Sequence, residues 1–274
     1  MKELWCFSYP DMKNNSKSSR RDTEIFSFFP CFILSFFHFF ILSLFHSFIL
    51  SPTFAGRQRT YFEKGALTMT PKLLSGLIGY VLGCFLTAVP VARHYAGKPV
   101  SEVGNTGNPG MANIMDALGF KPGLIVLAGD LGKCFLAMLL SCLLFRESGW
   151  IVTLYAGLGC TLGHDFPVWR GFRGGKGVAT SCAAIVLYSP LWGLLSCIVG
   201  MLIVFATKYL CIAGPVIPLL FTGIMLALGQ NEAAILGGVM ALLALLCHGP
   251  SILGIRKGTT KQTDVLGAIF KKKR

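Results

Sequence analysis

The sequence predicts an all-α integral membrane protein: a bundle of about seven transmembrane helices with glycine-rich cytoplasmic loops. Three observations lead there. Of the 274 residues, 53% are hydrophobic and only 14% charged, where soluble domains carry about 25% charged residues. The apolar residues form successive runs approaching the length of a membrane span, about 20 residues. Basic residues crowd alternate connections between those runs, the asymmetry that sets orientation in a membrane.

From Met69 onward seven apolar segments are expected, at residues 73–92, 124–145, 150–163, 178–188, 191–206, 210–228 and 233–247. Three are short for a complete crossing and fit tilted or partial spans. The Tyr188-Ser189-Pro190 break reads either as a tight hairpin or as a kink inside one long helix. The connection after the first segment holds Arg93, Lys98 and Lys121, and the one after the third holds Arg170, Arg173 and Lys176. Lys208 follows the fifth segment, and Arg256, Lys257, Lys261 and the basic run 271–274 follow the seventh. The alternate connections offer only Lys72 and Arg146. The positive-inside rule therefore puts the start of this core outside and its tail in the cytoplasm of a multi-pass plasma-membrane protein.

Residues 1–68 have another texture. A polar, basic start leads into a Phe/Ser/His-rich apolar run at 25–50, and then to Arg57, Arg59 and Lys64. An additional span there would leave these cations, with Lys72, on the outer side, against the charge rule. We read 1–68 as an N-terminal extension with one apolar segment, preceding a biological start at Met69, and 69–274 as the membrane domain.

The net charge of +13 is spread over loops and tail without aromatic interleaving, which fits anionic lipid headgroups and not nucleic acid. The ten cysteines show no C-x-x-C spacing and read as small membrane hydrophobes, neither a disulfide framework nor a metal site. With no H-E-x-x-H, G-x-S-x-G or dinucleotide fingerprint, no metal or organic cofactor is expected.

The polar sequence that remains is unusual. Residues 163–180, GHDFPVWRGFRGGKGVAT, place five glycines with Arg170, Arg173 and Lys176 between apolar runs. Glycines let backbone N–H groups turn toward one point and the cations add charge, which is how a protein holds phosphate. Gly174, Gly175 and Gly177 flank Lys176, but Gly177 stands where a Walker A loop carries Ser or Thr, and Arg170 where it needs glycine. A solvated basic connector is the plainer alternative. The loop Asn105-Thr106-Gly107-Asn108-Pro109-Gly110-Met111-Ala112-Asn113 offers carboxamides and a hydroxyl on the same face, although Asn-Pro-Gly is ordinary turn chemistry. Asp130 and Lys133 lie one helical turn apart at membrane depth, where ionisable side chains usually mark a site; a self-satisfying i,i+3 ion pair is the alternative. His248 and His164 are further candidates, each also explicable as a helix-end histidine.

These residues resemble a family. GHDFPVWRGFRGGKGVAT closely resembles the signature of PlsY-type acyl-phosphate:glycerol-3-phosphate acyltransferases, bacterial membrane enzymes that begin phosphatidic acid synthesis. NTGNPGMAN resembles their Gly-Ser-Gly-Asn-x-Gly-Ala-Thr-Asn loop, Asp130-x-x-Lys133 their Asp-x-x-Lys-Gly element, and Cys247-His248 lies where they carry Arg-His. The resemblance covers Met69 to about Lys261. It implies a seven-helix membrane acyltransferase domain with its active site at the cytoplasmic face, and acyl transfer from acyl phosphate to glycerol 3-phosphate. It further implies that Arg173, Gly174, Gly175, Lys176 and Gly177, with Lys133 and Asp130, serve the phosphate groups. Thr106, Gly107, Asn108, Gly110 and Asn113 would orient substrate, and His248 would orient or deprotonate the attacking hydroxyl, with Ser251 nearby. The implied partners are the two substrates and the bilayer, with no cofactor. Several positions depart from the family pattern: Thr106 for serine, Ala112 for threonine, Asp116 for arginine, Cys134 for glycine, Cys247 for arginine and Ser251 for asparagine. Two other readings stay open, a catalytically weakened paralogue that binds acyl phosphate or lipid, and an anion transporter.

Overall fold

The computed structural model of the chain describes residues 69–260 and Gln262; the extension at 1–68 and the basic run 271–274 lie outside them. The described residues contain no strand and nine α-helices. They are α1 (Met69–Gly83), α2 (Ala88–Ala96), α3 (Met111–Leu118), α4 (Phe120–Leu144), α5 (Ile151–Asp165), α6 (Val178–Tyr188), α7 (Pro190–Thr207), α8 (Leu210–Ala227) and α9 (Asn231–Arg256). Among the described residues, five stretches are long and apolar enough to cross a membrane: Met69–Ala96, Phe120–Leu144, Pro190–Thr207, Leu210–Ala227 and Asn231–Arg256. α5, with 15 residues, and α6, with 11, fall short of a hydrocarbon core of about 30 Å at roughly 1.5 Å per residue.

Glycine sets the closest helix contact. A Cβ on Gly79 would lie 2.0 Å from the Ala156 carbonyl oxygen, and one on Gly83 2.2 Å from that of Cys160. A Cβ on Gly159 would lie 2.0 Å from the Gly76 carbonyl oxygen. The matched positions advance together along both helices, so α1 and α5 run parallel with their backbones nearly touching. Small residues four apart permit this approach in lipid, where packing and not hydrophobic burial holds helices together.

The expected first span, 73–92, is interrupted. α1 stops at Gly83 and α2 begins at Ala88, which puts Pro90 in the first turn of a new helix, where its missing N–H and its ring are most easily accommodated. The break exposes carbonyls that lipid cannot satisfy, and side chains cap them. Lys133 donates to the oxygens of Gly83 (3.2 Å) and Phe85 (2.8 Å), and Trp169 Nε1 donates to that of Cys84 (2.7 Å). At Ser189 the chain doubles back: a Cβ on Gly193 would meet the Val186 Cα at 2.7 Å. The break there is a corner between two helices, with Pro190 in the first turn of α7 where its missing N–H does no harm.

Hydrogen bonds sort the connections into two ends. At one end Lys72 and Tyr155 both donate to Glu232, Trp150 Nε1 donates to the Tyr188 carbonyl, and Tyr188 donates to Gln230. At the other, Trp169 meets Cys84, Lys176 meets Ser251 and Gln262 meets Tyr209. That second end carries the polar motifs. The main core, with Met138, Leu154, Ile185, Phe221, Met225 and Met240 buried, joins α4, α5, α6, α8 and α9. A smaller one, with Val91, Val100, Val103, Ile114 and Val126, seats α2 and α3 on α4 beneath the Asn105–Asn113 loop.

Candidate active site

The glycine-rich loop between α5 and α6 starts by closing α5. Gly174 N donates to the Asp165 carbonyl and Gly175 N to that of His164, both at 2.9 Å. These two N–H groups are therefore taken by the helix end, whose last carbonyls need donors, and do not form the expected anion nest. The glycines supply room instead. A Cβ on Gly174 would lie 2.0 Å from the His164 carbonyl oxygen, and one on Gly175 2.0 Å from His164 Nε2. The loop's open donors are further along. Gly177, in the left-handed region at φ 65°, precedes α6, whose first turn has no side-chain cap; its N–H groups and positive dipole end suit an anion.

Beside that helix start, Lys176 Nζ donates to Ser251 Oγ at 3.0 Å. Lys176 is half-buried, and burial pushes its ammonium below the usual lysine range. Ser251 lies one turn beyond His248 on α9, which continues to Arg256, past the expected end of the segment at 247. His248 is buried beside the Lys176 backbone, and neither ring nitrogen meets a hydrogen-bond partner of acceptable geometry. Its neighbour Cys247 Sγ lies 3.6 Å from Asp165 Oδ2. Two contacts thus dock α9 onto the end of α5 and the loop that follows it, and they bring Lys176, Ser251 and His248 together.

Lys133 sits behind this group. Four acceptors surround its ammonium: the Gly83 and Phe85 carbonyls, His164 Nδ1 at 2.8 Å and Asp130 Oδ1 at 3.0 Å. Three N–H bonds cannot serve all four. Asp130 Oδ1 is the one without a directed hydrogen bond, so charge holds it while the other three take the protons. The i,i+3 ion pair expected as the alternative is present, embedded in a larger cluster with His164. Through His164 and Gly175 that cluster adjoins the glycine loop.

The first loop is self-contained. Thr106 Oγ1 donates to Asn113 Oδ1 at 2.9 Å, and Asn113 Nδ2 donates to the carbonyls of Val103 (2.8 Å) and Asn108 (3.1 Å). Asn113 therefore sits in the first turn of α3, not in the loop, and ties the loop to it. Gly107, at φ 58°, passes so close to Ser101 that a Cβ would lie 2.4 Å from its carbonyl oxygen, and Gly110 precedes α3. Thr106 and Arg173 are exposed. Among the described residues, the hydrogen bonds of the Thr106, Asn108 and Asn113 side chains all stay between Val103 and α3.

Sequence reasoning missed Asp165, which is buried with Oδ1 unpartnered, although an acid ending an apolar segment is itself a signal. It also missed Gly214 on α8, where two nearby prolines, Pro215 and Pro218, mark an irregular helix. Among the described residues no three His, Cys, Asp or Glu side chains gather as a metal ligand set.

Comparison with known proteins agrees with this architecture. The family described as glycerol-3-phosphate acyltransferase matches residues 73–258. Glycerol-3-phosphate acyltransferase 1 of Lactobacillus acidophilus is 36% identical over 202 residues, 73% of this chain and 96% of that protein. The glycerol-3-phosphate acyltransferase of a Thermoanaerobacter species is 31% identical over 190 residues, 68% and 93% of the two chains. The crystal structure of PlsY, an integral membrane glycerol 3-phosphate acyltransferase, in its glycerol 3-phosphate form superposes with a TM-score of 0.64 at 27% identity, covering 73% of this chain and 99% of that one. Its lysophosphatidic acid form gives a TM-score of 0.63. The chain belongs to the glycerol-3-phosphate acyltransferase family.

Proposed function

We propose that this protein transfers a fatty acyl group from acyl phosphate to the primary hydroxyl of glycerol 3-phosphate, giving lysophosphatidic acid and inorganic phosphate in phospholipid biosynthesis. Family membership supports the acceptor and the acyl transfer. The observation that carries the site is the meeting of Lys176, Ser251 and His248 beside the uncapped start of α6. A cation and a helix N-terminus side by side hold a phosphate and stabilise charge as it develops. His248, buried beside the Lys176 backbone, takes the proton of the attacking hydroxyl. The new ester C–O bond forms as the carbonyl–phosphate C–O bond breaks, and phosphate leaves. Acyl phosphate is already an activated mixed anhydride, so positioning and charge suffice without a covalent enzyme intermediate.

Other residues take supporting roles in this reading. Arg173 and the exposed Thr106 meet substrate at the mouth of the site, and Asn108, Asn113, Gly107 and Gly110 shape their loop. Gly174, Gly175 and Gly177 let the loop approach His164 and Asp165. Lys133 and Asp130 brace the site from behind. We place the acyltransferase domain from Met69 onward, in the plasma membrane, with the site end in the cytoplasm. The concentration of Arg93, Lys98, Lys121, Arg170, Arg173, Lys176, Lys208, Arg256 and Lys257 on the connections and helix ends between and after the spans supports this orientation.

The test is direct. Full-length purified protein is given palmitoyl phosphate and glycerol 3-phosphate, and lysophosphatidate and released phosphate are measured. Equal amounts of both are expected, with formation abolished in Lys176→Ala and lowered about 100- to 1,000-fold, to a measurable residual rate, in His248→Ala. Phosphate release without lysophosphatidate, or no turnover by the wild type, overturns the proposal.

A further inference from the structure

His248 is packed against a helix that carries none of the polar motifs. A Cβ built on Gly214 of α8 would lie 2.7 Å from both Cδ2 and Nε2 of the His248 ring. Real Cβ atoms do not come that close, so any side chain at 214 must displace the imidazole. The ring is 4% exposed and neither nitrogen is held by a hydrogen bond of acceptable geometry. Buried histidines are ordinarily fixed in orientation by a partner on one nitrogen; here the Lys176 backbone beside the ring makes no bond of acceptable geometry, and the steric contact at Gly214 adds to what orients it. α8 is built for close approach at this point: Pro215 follows Gly214 directly, and Pro218 removes the amide that would close the helical bond onto the Gly214 carbonyl. Gly223 on the same helix has nothing within 4 Å of its Cβ position.

We propose that Gly214 is a positioning residue for the acyl transfer: the bare backbone at 214 sets the depth and tilt of the His248 ring, and so where its nitrogen meets the attacking hydroxyl. This rests on the role given to His248 above. A catalytic base displaced by about 1 Å loses rate on the order of a hundredfold, because proton transfer depends steeply on geometry. Phosphate binding is assigned to Lys176 Nζ and the start of α6 and not to the imidazole, so the loss is expected in kcat more than in KM.

The experiment compares wild type, Gly214→Ala, Gly223→Ala, His248→Ala and the Gly214→Ala/His248→Ala double variant, all full length and in the same detergent. Wild-type turnover is measured first, and its absence overturns the reading of the reaction, not the role of Gly214. Given turnover, Gly214→Ala is expected to lower kcat by about 10- to 100-fold with the KM for glycerol 3-phosphate changed less than about twofold, while Gly223→Ala is unchanged. In the His248→Ala background, Gly214→Ala is expected to lower kcat no further, a non-additivity that a general loss of packing does not produce. Where Gly214→Ala reduces the yield of folded protein, the double variant restores it, because the clash is with the ring. Wild-type kcat in Gly214→Ala, additive losses in the double variant, or failure of His248→Ala to restore folding overturns the proposal.

Discussion

Lys133 Nζ lies 2.8 Å from His164 Nδ1, and this contact joins the break between α1 and α2 to the glycine-rich loop. The same ammonium holds the Gly83 and Phe85 carbonyls, while the His164 carbonyl accepts from Gly175 and the Cβ position of Gly175 faces the imidazole. Lys133 acts as a strut: its protons are engaged by the protein, on a helix break that would otherwise leave carbonyls bare in an apolar setting.

Replacing this strut is expected to destabilise the protein. Lys133→Met leaves Asp130 as a buried, unpaired carboxylate and releases two helix-end carbonyls, a loss of about 3 kcal/mol or more. Asp130→Asn/Lys133→Met is expected to recover part of it by removing the unpaired charge. Thermal unfolding in detergent measures both, and equal midpoints for Lys133→Met and wild type would count against the strut.

The two loop cations are expected to differ. Lys176 is half-buried on Ser251 at the start of α6, whereas Arg173 is exposed. A charge-assisted hydrogen bond to phosphate is worth roughly 1.5–3 kcal/mol, about one to two orders of magnitude in affinity. Lys176→Ala is expected to weaken phosphate binding by that much and Arg173→Ala by less, since solvent screens exposed charge. Titration calorimetry with glycerol 3-phosphate and with an acyl phosphate analogue reads the difference, and neither substitution opens a core cavity.

Affinity is also expected to depend on alkaline pH. Burial lowers the Lys176 pKa from its ordinary 10.5. The charged form binds phosphate, so affinity is full below the lowered pKa and falls as pH rises through it, before an exposed lysine would titrate. Lys176→Arg keeps its charge throughout and removes this alkaline limb. Affinity measured from neutral pH to the ordinary lysine value distinguishes the two proteins; identical profiles would show that Lys176 does not carry the binding.

Packing between α1 and α5 gives a contrast within one helix. Gly79→Ala and Gly83→Ala force a Cβ into backbone atoms at 2.0 and 2.2 Å, while at Gly76 the nearest atom is 3.9 Å away. The first two are expected to lose about 1–3 kcal/mol by overpacking, and Gly76→Ala nothing or slightly less than nothing, since alanine favours helix. Unfolding midpoints of the three variants decide the matter.

The amino-acid order alone determined the membrane class, the main apolar segments and the polar motifs. Apolar run length and the alternation of cations are local properties, readable without coordinates. Gly79, Gly83, Gly159 and Gly163 sit at four-residue spacing in plain view, yet which helices they join is a matter of partner choice. The same limit applied at the site. The glycine-rich loop was legible as a polar island, but not that the amides of Gly174 and Gly175 close α5 while the donors left open belong to α6. The break at Pro90 was visible as a proline and read as part of a continuous span. Tertiary structure decided the rest: that Lys133 braces a broken helix, that α9 brings His248 and Ser251 to Lys176, and that Gly214 of α8 bounds the histidine ring. Each of these contacts joins residues tens of positions apart, and no periodicity or spacing encodes which surfaces of several similar apolar helices meet, because in lipid that choice rests on backbone approach and on polar groups finding partners.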